Sequence, residues 1–106
     1  MATVNKFPTK DPTEAVVLTF DFAAELSGGE TLTGTPTVAV TVVRSSDAAP
    51  TAILAIGAAF DGTSTKYLVP VTGGLTGVDY DVKVTAATTN TKKTLALAGI
   101  LPVRAQ

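Results

Sequence analysis

Residues Leu75-Thr-Gly-Val-Asp-Tyr-Asp-Val-Lys-Val-Thr85 alternate without a break. Val78, Tyr80, Val82, Val84 and Ala86 fall on one face, and Asp79, Asp81, Lys83 and Thr85 fall on the other. A period of two is what a half-buried strand requires, and no helix can sort these residues into an apolar and a polar side. The segment leaves a Gly-rich turn, and a lone Tyr stands near its start. A Tyr in that place can bury its ring while its hydroxyl holds the preceding turn, the tyrosine-corner arrangement of β-sandwiches. Leu75, Tyr80, Val82 and Val84 are therefore read as the structural centre of a sandwich.

The rest of the chain supplies partners of the same kind. Val16, Leu18, Phe20 and Phe22 share one face of a strand over 16–22, and Ala23–Leu26 is long enough for one helical turn only. Ser27-Gly-Gly29 is a turn, followed by a short strand over 30–33 that ends at Gly34 and Pro36. Thr37–Arg44 is apolar or neutral on both faces, which predicts a strand inside a sheet. Residues 52–60 and 63–72 are expected to form a hairpin about Asp61-Gly62, with Ile56 opposite Tyr67 and Leu54 opposite Val69 on the core face. Pro70 lacks a ladder donor and predicts an edge strand; Pro102 predicts an edge or an ending. Thr88–Lys93 is a second hairpin loop in which Asn90 can turn left-handed. Gly99, inside the last strand, predicts a bulge or a close approach.

About seven strands with turn signals every ten residues or so describe one all-β sandwich. Its 106 residues fit a single domain, with an extended arm over 1–14 and the sandwich over 15–106. In the arm, Pro8 and Pro12 oppose helix. Val4 and Phe7 either dock on a neighbour or on the protein's own sheet; otherwise the arm is a disordered tail.

Composition narrows the chemistry. There is no His and no Cys, which removes most nucleophile–base pairs and nearly all zinc sites. Ser45, Ser46 and Ser64, with Lys66 nearby, are better read as loop residues than as a Ser–Lys pair. Asp47, Asp61, Asp79 and Asp81 lack calcium-loop spacing, Glu25 and Glu30 flank a turn rather than a cleft, and no cofactor or metal is expected. Eight basic against nine acidic residues make no electrostatic case for nucleic acid or an anionic membrane. No apolar run approaches the ~20 residues of a membrane span, and Met1–Pro8 has no signal-peptide core. Only 16% of residues are charged, against roughly 25% in an ordinary domain. Such a surface loses little on being covered, which fits protein partners, and a weakly charged but free surface fits the composition equally well; no small-molecule substrate is expected.

Two resemblances add to this reading. Leu75-x4-Tyr80-x-Val82-x-Val84 resembles the tyrosine-corner strand of immunoglobulin-like, fibronectin III-like domains. Most of the chain is similar to small tailed-phage virion proteins of immunoglobulin-like fold. The matching features are Lys10-Asp-Pro12, the strand at Val16–Phe22, Gly28-Gly-Glu-Thr-Leu32, Gly73-Gly-Leu-Thr-Gly-Val-Asp-Tyr-Asp-Val82, and the Thr88-Thr89 pair before the last strand. It departs from that layout at Phe22-Ala-Ala24, where members carry Trp, and at Asn90–Lys93, where Gly-Arg is usual.

The resemblance implies a virion location, with synthesis in the host cytoplasm and a non-enzymatic structural role. The leading expectation is binding to the major capsid protein, decorating or stabilising the shell. The alternative is a head–tail junction or tail accessory protein, and a second alternative is a carbohydrate- or surface-binding module. Other virion proteins and copies of the chain itself are the expected partners. The contacts expected to bind them are Val4, Phe7, Lys10, Pro70, Lys92, Lys93 and Pro102, and deleting residues 1–10 is expected to abolish assembly while leaving the fold.

Overall fold

The computed structural model describes the backbone of residues 4–105 and the side chains of residues 6–105. It is all-β, with strands β1 (Val4–Lys6), β2 (Ala15–Asp21), β3 (Leu32–Arg44), β4 (Ala59–Phe60), β5 (Lys66–Thr72), β6 (Asp79–Thr88) and β7 (Thr94–Pro102). Short 3-10 turns occur at Ala23–Glu25 and Pro50–Ile53. One sheet has the order β1-β7-β6-β3 and the other β2-β5-β4. All pairings are antiparallel except β1 with β7.

β6 holds the centre. Val82 lies between Val40 on β3 and Gly99 on β7, and Tyr80 between Val42 and Leu101. Tyr80, Val82 and Val84 are completely buried, and they join Leu18 and Phe20 of β2 and Val69 and Val71 of β5 in one core shared by both sheets. The alternating apolar residues of each strand thus face the opposite sheet, and apolar burial of about 25 cal/mol per Å² holds the layers together.

Four local expectations are corrected. First, residues 30–33 and 37–44 do not form two strands. β3 is one strand of 13 residues with register shifts between Thr33 and Thr37 and between Val42 and Arg44. It lies at the edge of its sheet rather than inside, and Ala39, Thr41 and Val43 are exposed on its outer face. A neutral outer face reads the same whether the strand has one neighbour or two.

Second, the hairpin about Asp61-Gly62 is wider and out of the expected register. Phe60, not Ile56, lies opposite Tyr67, and Leu54 bridges to Val71 rather than to Val69. Ile56 is fully exposed. The cause is the Asp61 carboxylate, which accepts the amides of Thr65 and Lys66, both at 3.1 Å, and the Thr63 hydroxyl at 2.8 Å. These bonds favour a loop running to Lys66, closed by the Asp61 amide on the Lys66 carbonyl at 3.0 Å. The left-handed residue in it is Ser64 at φ 55°, not Gly62. Upstream, the 3-10 turn at Pro50–Ile53 takes residues that a long strand would need.

Third, Pro70 is not on an edge strand, because β5 runs between β2 and β4. Its carbonyl accepts from the Ala55 amide at 3.0 Å, so its ring nitrogen faces the side where the two-residue β4 has already stopped. No bond to β2 is lost, since the N–H and C=O of one strand residue point to the same neighbour. β7 is likewise internal, between β1 and β6, and ends at the buried Pro102.

Fourth, Asn90 is not left-handed. Its carbonyl oxygen Oδ1 accepts the Lys92 amide at 3.1 Å, and the loop is held around the buried Thr88 hydroxyl.

Candidate functional site

Phe7 and Lys10 are turned into the protein's own fold. β1 runs parallel to β7 with Val4 opposite Ala98 and Lys6 opposite Ile100. The Phe7 amide donates to Ile100 O at 2.8 Å, Lys10 N to Pro102 O at 2.9 Å, and Arg104 N to Lys10 O at 2.9 Å. The Phe7 ring meets Phe20 edge-on at 5.5 Å and lies over Gly99, where any Cβ would collide with it. Gly99 therefore serves a close approach, and the β6–β7 register runs through it without a shift. The side chain of Val4 lies outside the described residues.

Lys10 is 2% exposed. Its ammonium donates to the Gly73 carbonyl at 2.6 Å and to the Asp11 carbonyl at 2.9 Å. Burial lowers its pKa, and the nearby Glu14 and Asp11 carboxylates oppose that shift. Lys10 is thus a clamp between the N-terminal segment and the turn that feeds β6. A groove of about 280 Å³ remains between this segment and β2, lined by Phe7, Pro8, Lys10, Glu14 and Val17 among others.

At the other end of the molecule Lys93 pairs with Glu30 at 2.8 Å, while Lys92 is exposed. Glu30 also accepts the Ser27 amide at 2.8 Å and the Asn90 side-chain amide at 3.2 Å. The Lys93 hydrogen bond, foremost among these, takes its pKa down to about 2. Of the two expected lysine contacts, only Lys92 presents its charge without an ion pair among the described residues.

The Tyr80 hydroxyl accepts the Leu75 amide at 3.0 Å and donates to Asp47 Oδ2 at 2.6 Å. Burial raises the Tyr80 pKa, and the hydrogen bond from Tyr80 lowers that of Asp47. One buried phenol thereby fixes two loops, 45–50 and 73–77. Leu75 contributes its amide, while its side chain is half-exposed. Tyr67 is buried and its ring meets that of Phe60 at a tilt, with centroids 5.4 Å apart, so it offers no aromatic platform to a sugar.

The flank formed by β3 and the segment before β5 was not legible as a surface. Val43 is 55% exposed and Ile56 102% exposed. A cleft of about 220 Å³ lies there between Gly34–Pro36 and Ala58–Phe60. Sequence reasoning placed Ile56 in the core; only the wider loop at Asp61 puts it outside.

Among the described residues, no group of three or more His, Cys, Asp or Glu side chains is placed to hold a metal ion. Among the same residues, no helix is long and apolar enough to cross a membrane. Lys10, Glu30, Asp47 and Asp61 tie loops through the bonds given above, while Arg44, Lys83 and Lys92 remain exposed.

Comparison with curated proteins and with solved structures returns no significant match. The family model described as podophage GP4 fiber-tail adaptor protein gp77 matches residues 10–97, from the Lys10 clamp to the middle of β7. That span takes in five whole strands and most of the core, and the chain accordingly belongs to this family of phage proteins and is a structural component of the virion.

Proposed function

We propose that the protein is a non-enzymatic adaptor that holds a fibre to the tail of a podophage particle. The observation that carries this is the family match over residues 10–97. It favours the tail over the capsid shell, and so the alternative reading over binding to the major capsid protein. The fold is in keeping with such a role, since its ion pairs and buried hydrogen bonds brace loops around a weakly charged exterior. We read the two sheets as an immunoglobulin-like, fibronectin III-like sandwich over 15–106. The reach of the Tyr80 hydroxyl to the turn before its strand supports this.

The test is made on purified particles. Quantitative mass spectrometry should give far fewer copies of this chain than of the major capsid protein, and cross-linking should join it to tail and fibre chains. Particles assembled without it should keep their tails and lack fibres. A copy number equal to that of the capsid lattice, with cross-links to the capsid protein, would replace the adaptor reading with shell decoration.

A further inference from the structure

The side of β3 facing away from β6 pairs with no strand among the described residues. Edge strands are ordinarily guarded by shortness, proline, bulges or charge. β1 and β4 are guarded by having three and two residues, and the edge of the seven-residue β2 is flanked by the N-terminal segment Phe7–Lys10 across the groove described above. β3 has 13, and between its two register shifts, the first after Thr33 and the second between Val42 and Arg44, the stretch Thr37–Val42 carries neither proline nor charge. On the same flank Ile56 stands fully in solvent and Val43 more than half so. An unguarded edge beside two exposed β-branched side chains is a surface meant to be covered.

The sequence of the edge says by what. Read antiparallel to itself about Val40, Val38–Val42 sets Val38 against Val42, Val40 against Val40, and Ala39 against Thr41. Every core-side pair is Val with Val, the outer pair Ala39 with Thr41 is small and neutral, and Arg44 lies beyond the second register shift, outside the paired stretch, so no like charges meet. We infer that β3 pairs with β3 of a second copy about a two-fold axis through Val40, joining two four-stranded sheets into one of eight strands. An axis perpendicular to the sheet keeps both three-stranded sheets on one side, so the segments around Ile56 face each other and Ile56 is withdrawn from water. Such a contact is self-complementary, as a two-fold interface must be, and draws its affinity from main-chain hydrogen bonds together with the Ile56 contact.

The experiment uses the purified full chain and is independent of where it sits on a particle. Sedimentation velocity over a range of concentrations should show a monomer–dimer equilibrium. Ile56→Lys and Val43→Lys, both at exposed positions, should weaken it at least about tenfold with melting temperature of the monomer unchanged. The chain has no Cys, so Ala39→Cys and Thr41→Cys report the register. Under mild oxidation the mixture of the two variants should form an intermolecular disulfide far more readily than either variant alone, because only the directly opposite pair comes close enough. A wild type that stays monomeric throughout, lysine variants that associate as well as wild type, or Ala39→Cys alone cross-linking as well as the mixture would each overturn the inference.

Discussion

The ring of Phe7 fills the space that a side chain at residue 99 would need. Gly99 is thus a seat for the N-terminal strand, and Gly99→Ala must displace either the ring or β7. The expected cost is ~1–3 kcal/mol, read as a lower urea midpoint with unchanged slope. Exchange of the Phe7 amide, bonded to Ile100 O at 2.8 Å, should speed up. In a Phe7→Ala background the same change at 99 should cost much less, because the collision is gone.

Tyr80 can be dissected atom by atom. Tyr80→Phe keeps the ring but leaves the Leu75 amide and the Asp47 carboxylate without their shared partner. A loss of ~1–3 kcal/mol is expected, with faster exchange of the Leu75 amide. Tyr80→Ala removes a wholly buried ring and should cost ~3–5 kcal/mol. Equilibrium unfolding of the two variants separates the hydroxyl from the packing.

Acid should act on the Glu30–Lys93 pair. Glu30 has its pKa lowered from 4.5 to about 2, first by the Lys93 hydrogen bond. A carboxyl depressed in the folded state contributes stability that is fully present above its unfolded value and is lost as pH falls toward its folded value. The loss therefore falls between 4.5 and about 2. Asp47 and Asp61 are shifted in the same direction and add to it. In Glu30→Gln, the difference between urea midpoints measured above and below this window should shrink without vanishing.

Removing residues 1–10 deletes Phe7 and Lys10, so it strikes the fold as well as any partner contact. It uncovers Phe20, leaves β7 with a bare edge and strands the Gly73 carbonyl. A clear fall in thermal midpoint is expected by calorimetry. Lys92→Ala, at an exposed lysine, should leave that midpoint within experimental error.

What could be read beforehand was what rests on periodicity. The faces of β2 and β6, the location of Tyr80 and the close approach at Gly99 follow from alternation and from one missing side chain. Lys10 was read as a surface residue because its burial depends on a carbonyl 63 residues away. Ile56 was read as core because a two-residue turn was assumed where the Asp61 carboxylate enforces a longer loop. The edge placement of β3 was hidden for another reason: Val, Thr and Ala serve an inner strand and an uncharged outer one equally well.

The parallel pairing of β1 with β7 has a mechanical side. Tension applied through the chain ahead of Val4 and beyond Val103 pulls these two strands past each other along their length. Their cross-links, from the strand pairs through Phe7–Ile100 and Lys10–Pro102 to Arg104–Lys10, are then loaded together in shear rather than opened one at a time like a zip. The same joint ties residue 4 to residue 98, so it can close only when nearly the whole chain has been made. A late-closing joint that resists stretching along its length suits a link that must hold once set.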